Sequence, residues 1–478
     1  MKLETLSTGV VKLDEAMGGG IPLQSVTIVA GAPGTGKTVL ALQLMFAAAR
    51  AGKKCLFFTT LSEPSLKLMR YMQLFEFFDR DLVDRSIVIH DLGSRLRGGD
   101  LDAVLQEVTD RVEEHEPDVV VIDSFKAIHE MTVDRARTRT FIYDLAIHIT
   151  GWGATTVLVG EYDDADLLHC PEFAIADGIV TLGVARQELA VVRELEIRKL
   201  RGAHHVTGVQ FFDIDSSGIL FYPRVRGPKY STARPALGAP MPSGVAAIDE
   251  LFRGGIPEAS ATVVLGATGT GKTLIGLHFL VEGARRGEPC VLFTLEETAD
   301  QLRAIGDAFG FDLTGLERQG LLRICYTAPV ELSTDRFLND VREVAARMKA
   351  KRAVLDSLTS LSLGAITERR YRELVYSLAK HFRDQEVTLM ATLETSEMLG
   401  SAHLSAHGLS FAADNIIQLR YVEIARGIGR AVSVIKARGV DILTEARPFA
   451  IGARGMEVGP AEEAEGVRGV LTGISTGE

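Results

Sequence analysis

The sequence contains few cysteines and has no long apolar run. Its four cysteines have neither the spacing of a metal site nor the density of a disulfide framework: Cys55, Cys170, Cys290 and Cys325. No apolar stretch reaches the roughly 20 residues that a membrane-spanning helix needs. Residues 1–5 lack the apolar core of a signal peptide. These absences predict a cytoplasmic protein with reduced cysteines and no membrane partner.

An excess of positive charge is also missing. The chain has 52 Lys and Arg against 63 Asp and Glu, a formal net charge of −11. Nucleic-acid-binding proteins usually carry the opposite balance, so this composition argues against nucleic acid as a partner. Arginines nevertheless recur at matching places in the two halves: Arg135, Arg137 and Arg139, then Arg369, Arg370 and Arg372. They fit either a solvated or subunit-facing helix surface or the wall of a positively charged channel.

The length indicates two domains. A chain of 478 residues exceeds one ordinary core, and two domains of about 230 residues each suit it better. Its 46% apolar and 24% charged residues are typical of a globular protein with an ample core. We predict a first domain at 1–228, a proline-rich linker at 229–241, a second domain at 242–458 and a flexible tail at 459–478.

The most specific pattern is a phosphate-binding loop that occurs twice. The motif G-x-x-x-x-G-K-T spans 31–38 and again 266–273. In such loops the backbone amides surround phosphate oxygens, the lysine neutralises phosphate charge and the threonine hydroxyl binds Mg²⁺. The predicted nucleotide-binding residues are Gly31, Gly34, Thr35, Gly36, Lys37 and Thr38, with Gly266, Gly269, Thr270, Gly271, Lys272 and Thr273. The sequence therefore predicts two sites for ATP and Mg²⁺.

Alternating strand and helix patterns surround both loops. In the first half we predict strands at 25–29, 56–60, 119–122 and 155–159 and helices at 38–51 and 101–116. In the second half we predict strands at 261–265, 291–295 and 353–355 and helices at 273–286 and 335–350. The pattern predicts an α/β fold with two mostly parallel sheets, each flanked by helices. Ligands bind at the carboxyl ends of such strands, where Asp123 and Asp356 join Thr38 and Thr273 as predicted Mg²⁺ ligands.

Carboxylates also end a neighbouring strand in each half. The second half has Glu296 and Glu297 after an apolar strand, whereas the first half has Ser62 and Glu63. A carboxylate beside a phosphate loop can polarise the attacking water or accept a proton from a hydroxyl. One carboxylate is sufficient to orient water, so we predict hydrolysis at both sites.

A basic tripeptide follows late in each half. Lys199 and Arg201 in the first half match Lys436 and Arg438 in the second. On a strand tip these side chains could reach the γ-phosphate bound by a neighbouring subunit and act as trans fingers. A surface ion pair is the other interpretation.

These motifs together resemble the KaiC family of circadian-clock ATPases. The resemblance covers about 7–456 and rests on five motifs in the same order in each half: the T/S-G-V…D…G-G-I-P entry, the phosphate loop, the E-E strand end (Ser-Glu in the first half), the I/L-D-S strand end and K-x-R-G. It implies two tandem RecA-like domains and a homohexameric double ring with ATP at the subunit interfaces. It also implies ATP hydrolysis in the first ring, with autokinase and phosphatase activity in the second.

The resemblance further implies a phosphoacceptor shortly before Asp414. The family's adjacent serine and threonine correspond here to Ser410 and Phe411. Ser410 is therefore the candidate phosphoacceptor, with Glu296 as the base, and a two-step cycle on adjacent hydroxyls is excluded. Expected partners are other copies of the chain, KaiB-like proteins, and histidine-kinase or response-regulator signalling proteins.

Two other functions remain open from the sequence. A RecA- or DnaB-like motor on single-stranded nucleic acid would use the arginine clusters, but the acidic balance disfavours it. A nucleotide-gated scaffold without kinase activity would need no catalytic carboxylate. The function predicted first is a KaiC-like ATPase and serine/threonine autokinase that serves as a hexameric timing or signalling hub.

Overall fold

The chain folds into two compact units, Met1–Arg224 and Val225–Glu478. A computed structural model describes residues 3–60, 65–83, 85–96, 100–129, 135–187, 190–223, 238–329, 333–365, 367–395, 412–424 and 427–459. No helix within these ranges is long and apolar enough to cross a membrane.

The described strands of the first unit form a small sheet and a large one. They are β1 (Thr5–Leu6), β2 (Ile21–Pro22), β3 (Val26–Gly31), β4 (Cys55–Thr59), β5 (Ile87–Asp91), β6 (Val119–Asp123), β7 (Thr155–Gly160), β8 (Gly178–Gln187), β9 (Ala190–Leu200), β10 (Gln210–Asp215) and β11 (Gly218–Tyr222). Strands β1 and β2 pair with each other. The large sheet has the order β5-β4-β6-β7-β3-β8-β9-β10-β11. It is parallel from β5 to β8 and antiparallel from β8 to β11.

Helices cover both faces of this sheet. They are α1 (Val11–Ala16), α2 (Lys37–Arg50), α3 (Ser65–Met72), a 3-10 turn (Arg80–Leu82), α4 (Gly93–Leu96), α5 (Leu101–His115), α6 (Phe125–His129), α7 (Arg135–Trp152), α8 (Asp166–His169) and α9 (Glu172–Ile175). Strand β3 is buried along its whole length because its side chains alternate between two cores. Val29 joins the core that contains α2, whereas Ile28 and Ala30 join the core on the opposite face.

The second unit repeats this plan. Its described strands are β12 (Pro240–Met241), β13 (Ile256–Pro257), β14 (Ala261–Gly266), β15 (Cys290–Thr294), β16 (Leu322–Tyr326), β17 (Arg352–Asp356), β18 (Thr388–Glu394), β19 (Asn415–Ile424), β20 (Gly427–Ala437), β21 (Ala446–Gly452) and β22 (Gly455–Val458). The large sheet has the matching order β16-β15-β17-β18-β14-β19-β20-β21-β22. Its described helices are α10 (Ala246–Leu251), α11 (Lys272–Arg285), α12 (Ala299–Ala308), α13 (Leu313–Arg318), α14 (Thr334–Met348), α15 (Leu358–Leu363) and α16 (Glu368–Asp384).

The predicted fold class is confirmed. The predicted strands and helices lie at the observed elements within two residues at each end, and the two large sheets are mostly parallel and flanked by helices. Strand β12 pairs with β13 and lies inside the predicted linker. The domain boundaries themselves remain predictions, and residues 460–478 of the predicted tail lie outside the described residues.

Candidate nucleotide-binding sites

The first phosphate loop connects the end of β3 to the start of α2. Gly36 has φ of +100°, in the left-handed region that favours glycine, and Lys37 begins the helix. A Cβ atom added to Gly31 would lie 2.1 Å from the carbonyl oxygen of Leu182 on β8. The loop therefore needs glycine for two reasons, the helix entry and the close approach of β8.

Two side chains of this loop bind the loop's own backbone. Lys37 Nζ donates to the carbonyl oxygen of Ala32 at 2.8 Å, and Thr35 Oγ1 donates to the same oxygen at 2.8 Å. Burial lowers the pKa of Lys37, while the nearby carboxylates of Glu161 and Asp123 oppose that shift. The ammonium group is thus held over the loop by its own carbonyl, close to two acids, where a phosphate charge would stabilise it.

Thr38 and Asp123 meet beside the loop. Thr38 Oγ1 donates to Asp123 Oδ2 at 2.6 Å, which joins the first turn of α2 to the carboxyl end of β6. A cavity of about 380 Å³ lies beside this pair, and its lining includes Thr38, Asp123, Lys37, Glu161 and Ile214. A cavity of this size lies in the range of ordinary small-molecule sites.

The second phosphate loop has the same geometry. Lys272 Nζ donates to the carbonyl oxygen of Ala267 at 3.0 Å, and Thr270 Oγ1 donates to that oxygen at 2.7 Å. Thr273 Oγ1 donates to Asp356 Oδ2 at 2.6 Å, the same distance as in the first half. Gly271 also has φ of +100° at the helix entry.

Asp356 is almost completely buried. Burial raises the pKa of Asp356, and the hydroxyl groups of Thr273 and Thr392 oppose that rise by donating to the carboxylate. The peptide bonds Asp356-Ser357 and Asp123-Ser124 are both cis. A buried carboxylate with two hydroxyl donors is rigidly oriented toward the phosphate loop.

Glu296 and Glu297 follow the carboxyl end of β15, and their side chains lie in different environments. Glu296 Oε1 accepts hydrogen bonds from Ser360 Oγ at 3.0 Å and from Ser357 Oγ. Glu297 Oε2 is buried without a hydrogen-bond partner. Burial, followed by the charges of Asp356 and Glu296, raises the pKa of Glu297. The raised pKa and the unpartnered Oε2 make Glu297 a candidate proton acceptor.

Two predicted site residues lie outside the described residues. Glu63 follows β4 after residue 60, and Ser410 falls between residues 395 and 412. Their predicted roles as first-site carboxylate and phosphoacceptor remain untested.

In each unit the basic tripeptide lies at the end of the large sheet that is opposite the phosphate loop of that unit. Asp177 Oδ2 accepts a hydrogen bond from the backbone N–H of Val26, the first residue of β3, and Asp177 Oδ1 lies 3.3 Å from Arg201 Nη1. Val26 and Gly31 are the first and last of the six residues of β3, a span of about 17 Å at the usual rise of a strand. Lys199 lies in β9 of this edge. These basic groups are therefore distant from the loop of their own unit.

The second tripeptide is placed in the same way. Asp414 Oδ2 accepts from the backbone N–H of Ala261, the first residue of β14, and Asp414 Oδ1 lies 3.8 Å from Arg438 Nη1. Lys436 Nζ donates to the carbonyl oxygen of Ala413 at 2.8 Å. Burial, together with the charge of Arg438, lowers the pKa of Lys436.

Sequence reasoning missed carboxylates at the end of the strand next to each loop strand. Glu161 follows β7 and faces Lys37, and Glu394 ends β18 and accepts a hydrogen bond from Thr268 Oγ1 of the second loop. The signal was available, because both acids directly follow apolar strands that occupy matching positions in the two halves. Parallel strands bring all such strand ends to one edge.

The arginines of α16 are matched by acids. Arg370 Nη2 lies 2.5 Å from Asp335 Oδ1, and the Arg370 side chain is only 19% exposed. Arg369 and Arg372 pair with Glu373 and Glu368 one turn away. This helix face is therefore close to electrically neutral, which favours the interpretation as an ordinary helix surface over a charged channel.

The donors at each loop suit Mg²⁺ bound with a nucleotide. Among the described residues, no group of three or more His, Cys, Asp and Glu side chains could hold a metal ion alone. Mg²⁺ commonly takes one or two protein oxygens and completes its octahedron with phosphate oxygens and water. The Thr38–Asp123 and Thr273–Asp356 pairs offer that kind of partial ligand set.

Comparison with known proteins finds the same duplication. The ATPase family model KaiC matches residues 6–226 and again 241–463. The circadian clock oscillator protein KaiC of Rippkaea orientalis is 30% identical over 456 residues, which cover 92% of this chain and 87% of the relative. The protein of the same description from Acaryochloris marina is 30% identical over 487 residues, which cover 100% of this chain and 92% of the relative. That from Thermostichus vulcanus is 29% identical over 486 residues, 99% of this chain and 92% of the relative.

Proposed function

This chain belongs to the KaiC family of ATPases, and from that premise we propose that both of its sites bind ATP with Mg²⁺ and hydrolyse it. The observation that supports this most is the hydroxyl–carboxylate bond beside each loop, 2.6 Å long in both halves. It brings the loop threonine and the strand-end aspartate together in the arrangement that Mg²⁺ and a triphosphate require. Bound Mg²⁺ would neutralise phosphate charge and orient the γ-phosphate.

The residues of each loop have distinct tasks in this reaction. The loop amides and Lys37 or Lys272 bind the phosphates, and the threonine–aspartate pair holds the metal and its water shell. In the second site Glu297 accepts the proton of the attacking water, because its buried Oε2 has no other partner. In the first site we assign this task to Glu63. The products are ADP and inorganic phosphate.

The basic tripeptides act on ATP bound by a neighbouring copy. Lys199, Arg201, Lys436 and Arg438 lie at the edge opposite the phosphate loops of their own units, which argues against action in cis. A repeated head-to-tail contact would bring this edge to the next protomer's nucleotide and would close into a ring. We propose a homohexamer with ATP at the subunit interfaces.

The second site also transfers phosphate to the protein. In this step Ser410 Oγ attacks the γ-phosphorus, its proton passes to the carboxylate of Glu296, and ADP leaves. The chain thus acts as a serine/threonine autokinase whose phosphorylation and ring state are read by KaiB-like proteins or by histidine-kinase and response-regulator partners. The relatives' description as clock oscillator proteins supports this timing or signalling role.

The competing motor function is disfavoured by charge. The arginines of α16 each lie against a carboxylate, so this helix offers little uncompensated charge to a nucleic-acid strand. Single-stranded DNA should accordingly leave the ATPase rate unchanged. A several-fold stimulation that weakens with salt would favour the motor instead.

One experiment tests the proposed reactions. Purified protein is incubated with Mg²⁺ and γ-labelled ATP, and released phosphate and protein-bound label are followed. We expect Lys37→Ala and Lys272→Ala each to remove part of the phosphate release, and the double variant to remove it. We expect Ser410→Ala and Glu296→Gln to remove the bound label.

Each outcome separates the candidates. Phosphate release without label would reject the autokinase and leave an ATPase whose output is conformational. Nucleotide binding without phosphate release would favour the scaffold. Phosphate release that survives the double lysine variant would contradict both proposed sites.

A further inference from the structure

The first turn of α15 carries two hydroxyl groups that converge on one carboxylate oxygen. Ser360 Oγ donates to Glu296 Oε1 at 3.0 Å, and Ser357 Oγ donates to the same oxygen. Ser357 follows the metal-side aspartate directly, and it caps α15 by accepting from the backbone N–H of Ser360 at 3.2 Å. Both hydroxyls are therefore rigidly placed beside the second phosphate site.

These contacts restrict a side chain that would otherwise be mobile. Glu296 is exposed to solvent, and an exposed glutamate samples many rotamers. Two hydrogen bonds on Oε1 select one orientation and leave Oε2 as the oxygen that can accept a further proton.

The first half lacks both partners of this contact. The residue that matches Glu296 is Ser62, and the residue that matches Ser360 is Ala127, which has no hydroxyl. Ser124 matches Ser357, and its backbone N–H donates a hydrogen bond to Thr60 Oγ1 at 2.9 Å. A hydroxyl at the Ser360 position thus occurs only in the half that has a carboxylate for it to hold.

We propose that Ser360 is a positioning residue of the second site, which holds the carboxylate of Glu296 in the orientation needed for proton transfer. This inference rests on the proposed function, since it assigns a task within the same site. Ser360 does not contact the nucleotide in this proposal and acts through Glu296. Among the described residues, the carboxylates of Glu297 and Asp356 interact electrostatically with that of Glu296, and Lys272 interacts with both of these neighbours.

The test uses the full chain with Lys37→Ala, which confines turnover to the second site. The rates of phosphate release and of protein labelling are measured separately for Ser360→Ala, Ser360→Thr and Ser362→Ala. Ser362 is the matched control because its hydroxyl, on the same helix, donates to the carbonyl oxygen of Thr359 at 2.6 Å and not to Glu296.

We expect Ser360→Ala to lower the rate of protein labelling about tenfold with little change in the KM for ATP, since hydrogen bonds to charged groups are worth that order of effect. Phosphate release should change little, because Glu297 is its proposed base. Ser360→Thr should restore the labelling rate, and Ser362→Ala should match the parent. In a Glu296→Gln background, which loses the label but keeps phosphate release, Ser360→Ala should leave phosphate release unchanged.

Two results would overturn the inference alone. One is a parent that is labelled at a rate unchanged by Ser360→Ala. The other is an equal loss of phosphate release in Ser360→Ala with and without Glu296→Gln, which would show a structural effect that bypasses the carboxylate. A parent without label would instead reject the proposed autokinase function of the second site, and this inference with it.

Discussion

A glutamine in the first half and a histidine in the second hold the same two elements together. Gln43 on α2 accepts a hydrogen bond from the backbone N–H of Ile219 on β11 at 2.8 Å. His278 on α11 accepts one from the backbone N–H of Met456 on β22 through Nε2 at 3.0 Å. The glutamine acceptor does not titrate, whereas a protonated imidazole has no lone pair to offer. The same contact is therefore sensitive to acid only in the second half.

This difference predicts acid destabilisation through His278. Burial, followed by the charge of Arg285, lowers the pKa of His278 from 6.5 to about 4. A histidine whose pKa falls on folding contributes stability that is complete above the unfolded pKa and is lost as the pH falls toward the folded pKa. Between pH 7 and pH 4.5 we expect it to cost the second half about 2 kcal/mol. Urea unfolding at a series of pH values measures this loss.

The matched variant is His278→Gln, which copies the acceptor found at Gln43. It should flatten the pH dependence between pH 6.5 and 4. His381, whose pKa burial also lowers to about 4, stays in place and keeps its own contribution. An unchanged pH slope in His278→Gln would refute the assignment.

Site residues that belong to a repeated motif could be located from the sequence, whereas residues outside any motif could not. The loop lysines and threonines and the strand-end aspartates stand in repeated motifs, and the structure brings them together as expected. The hold of Ser360 on Glu296 depends on how the first turn of α15 faces β15, which no local pattern reveals. The proposed division of tasks between Glu296 and Glu297 likewise depends on burial.

At one contact between strand β17 and helix α11, the strand residue is large and the helix residue is a glycine. Arg352 begins β17, is 0% exposed, and lies 2.6 Å from Glu288 through Nε, with its guanidinium 4.6 Å from the centre of the Phe279 ring. A Cβ atom on Gly283 of α11 would lie 2.4 Å from Arg352 Cδ. The first half has Val119 and Ala48 at the two matching positions, so a smaller strand residue there faces a larger helix residue.

We predict a strong coupling between these two positions. Gly283→Ala alone should destabilise the second half by about 1–3 kcal/mol through overpacking. Arg352→Val alone should cost about 3 kcal/mol, because it leaves Glu288 without its buried partner. The double variant reproduces the pair found in the first half and should cost clearly less than the sum.

Calorimetry of the four proteins in this cycle supplies the measurement. Ala48→Gly in the first half is the control, and it should cost only about 1 kcal/mol, the helix propensity difference. Strictly additive effects in the second half would show that the two side chains do not compete for the same space.

At the level of elements, the periodicity of the apolar residues predicted several strands and helices but did not reveal the antiparallel strands. The apolar runs of β3, β4, β6 and β7 and the helices α2, α5, α11 and α14 were predicted with small boundary errors, whereas the long helices α7 and α16 were not predicted as elements. The antiparallel strands β8–β11 and β19–β22 were not identified; in β9, for example, the adjacent charged residues Arg193 and Glu194 interrupt the alternation of polar and apolar residues. Those strands carry the basic tripeptides to the edge opposite the phosphate loops, so the fold, more than the motif, decides where the tripeptides can act.

At the scale of the whole molecule, the separation of loop and tripeptide within one unit supports the proposed action between neighbouring copies. Within one unit the tripeptide edge and the loop edge lie at opposite ends of β3, about 17 Å apart by strand rise. A loop and a tripeptide that act on one ATP must therefore come from different units, which in the proposed ring belong to neighbouring protomers. Defects in the loop and in the tripeptide should then be repairable by mixing, since each variant still supplies the part that the other lacks.

We predict such complementation between Lys37→Ala and Arg201→Ala, each made with Lys272→Ala to silence the second site. Either protein alone should release little phosphate from ATP. After subunits are exchanged at equal ratio, about a quarter of neighbouring pairs in a closed ring should join an intact loop to an intact tripeptide. Phosphate release should recover to about that fraction of the Lys272→Ala parent, whereas each variant mixed with itself should recover nothing. No recovery despite proven subunit exchange would mean that Arg201 does not serve the neighbour's nucleotide, and its 3.3 Å pair with Asp177 would then be only a surface ion pair.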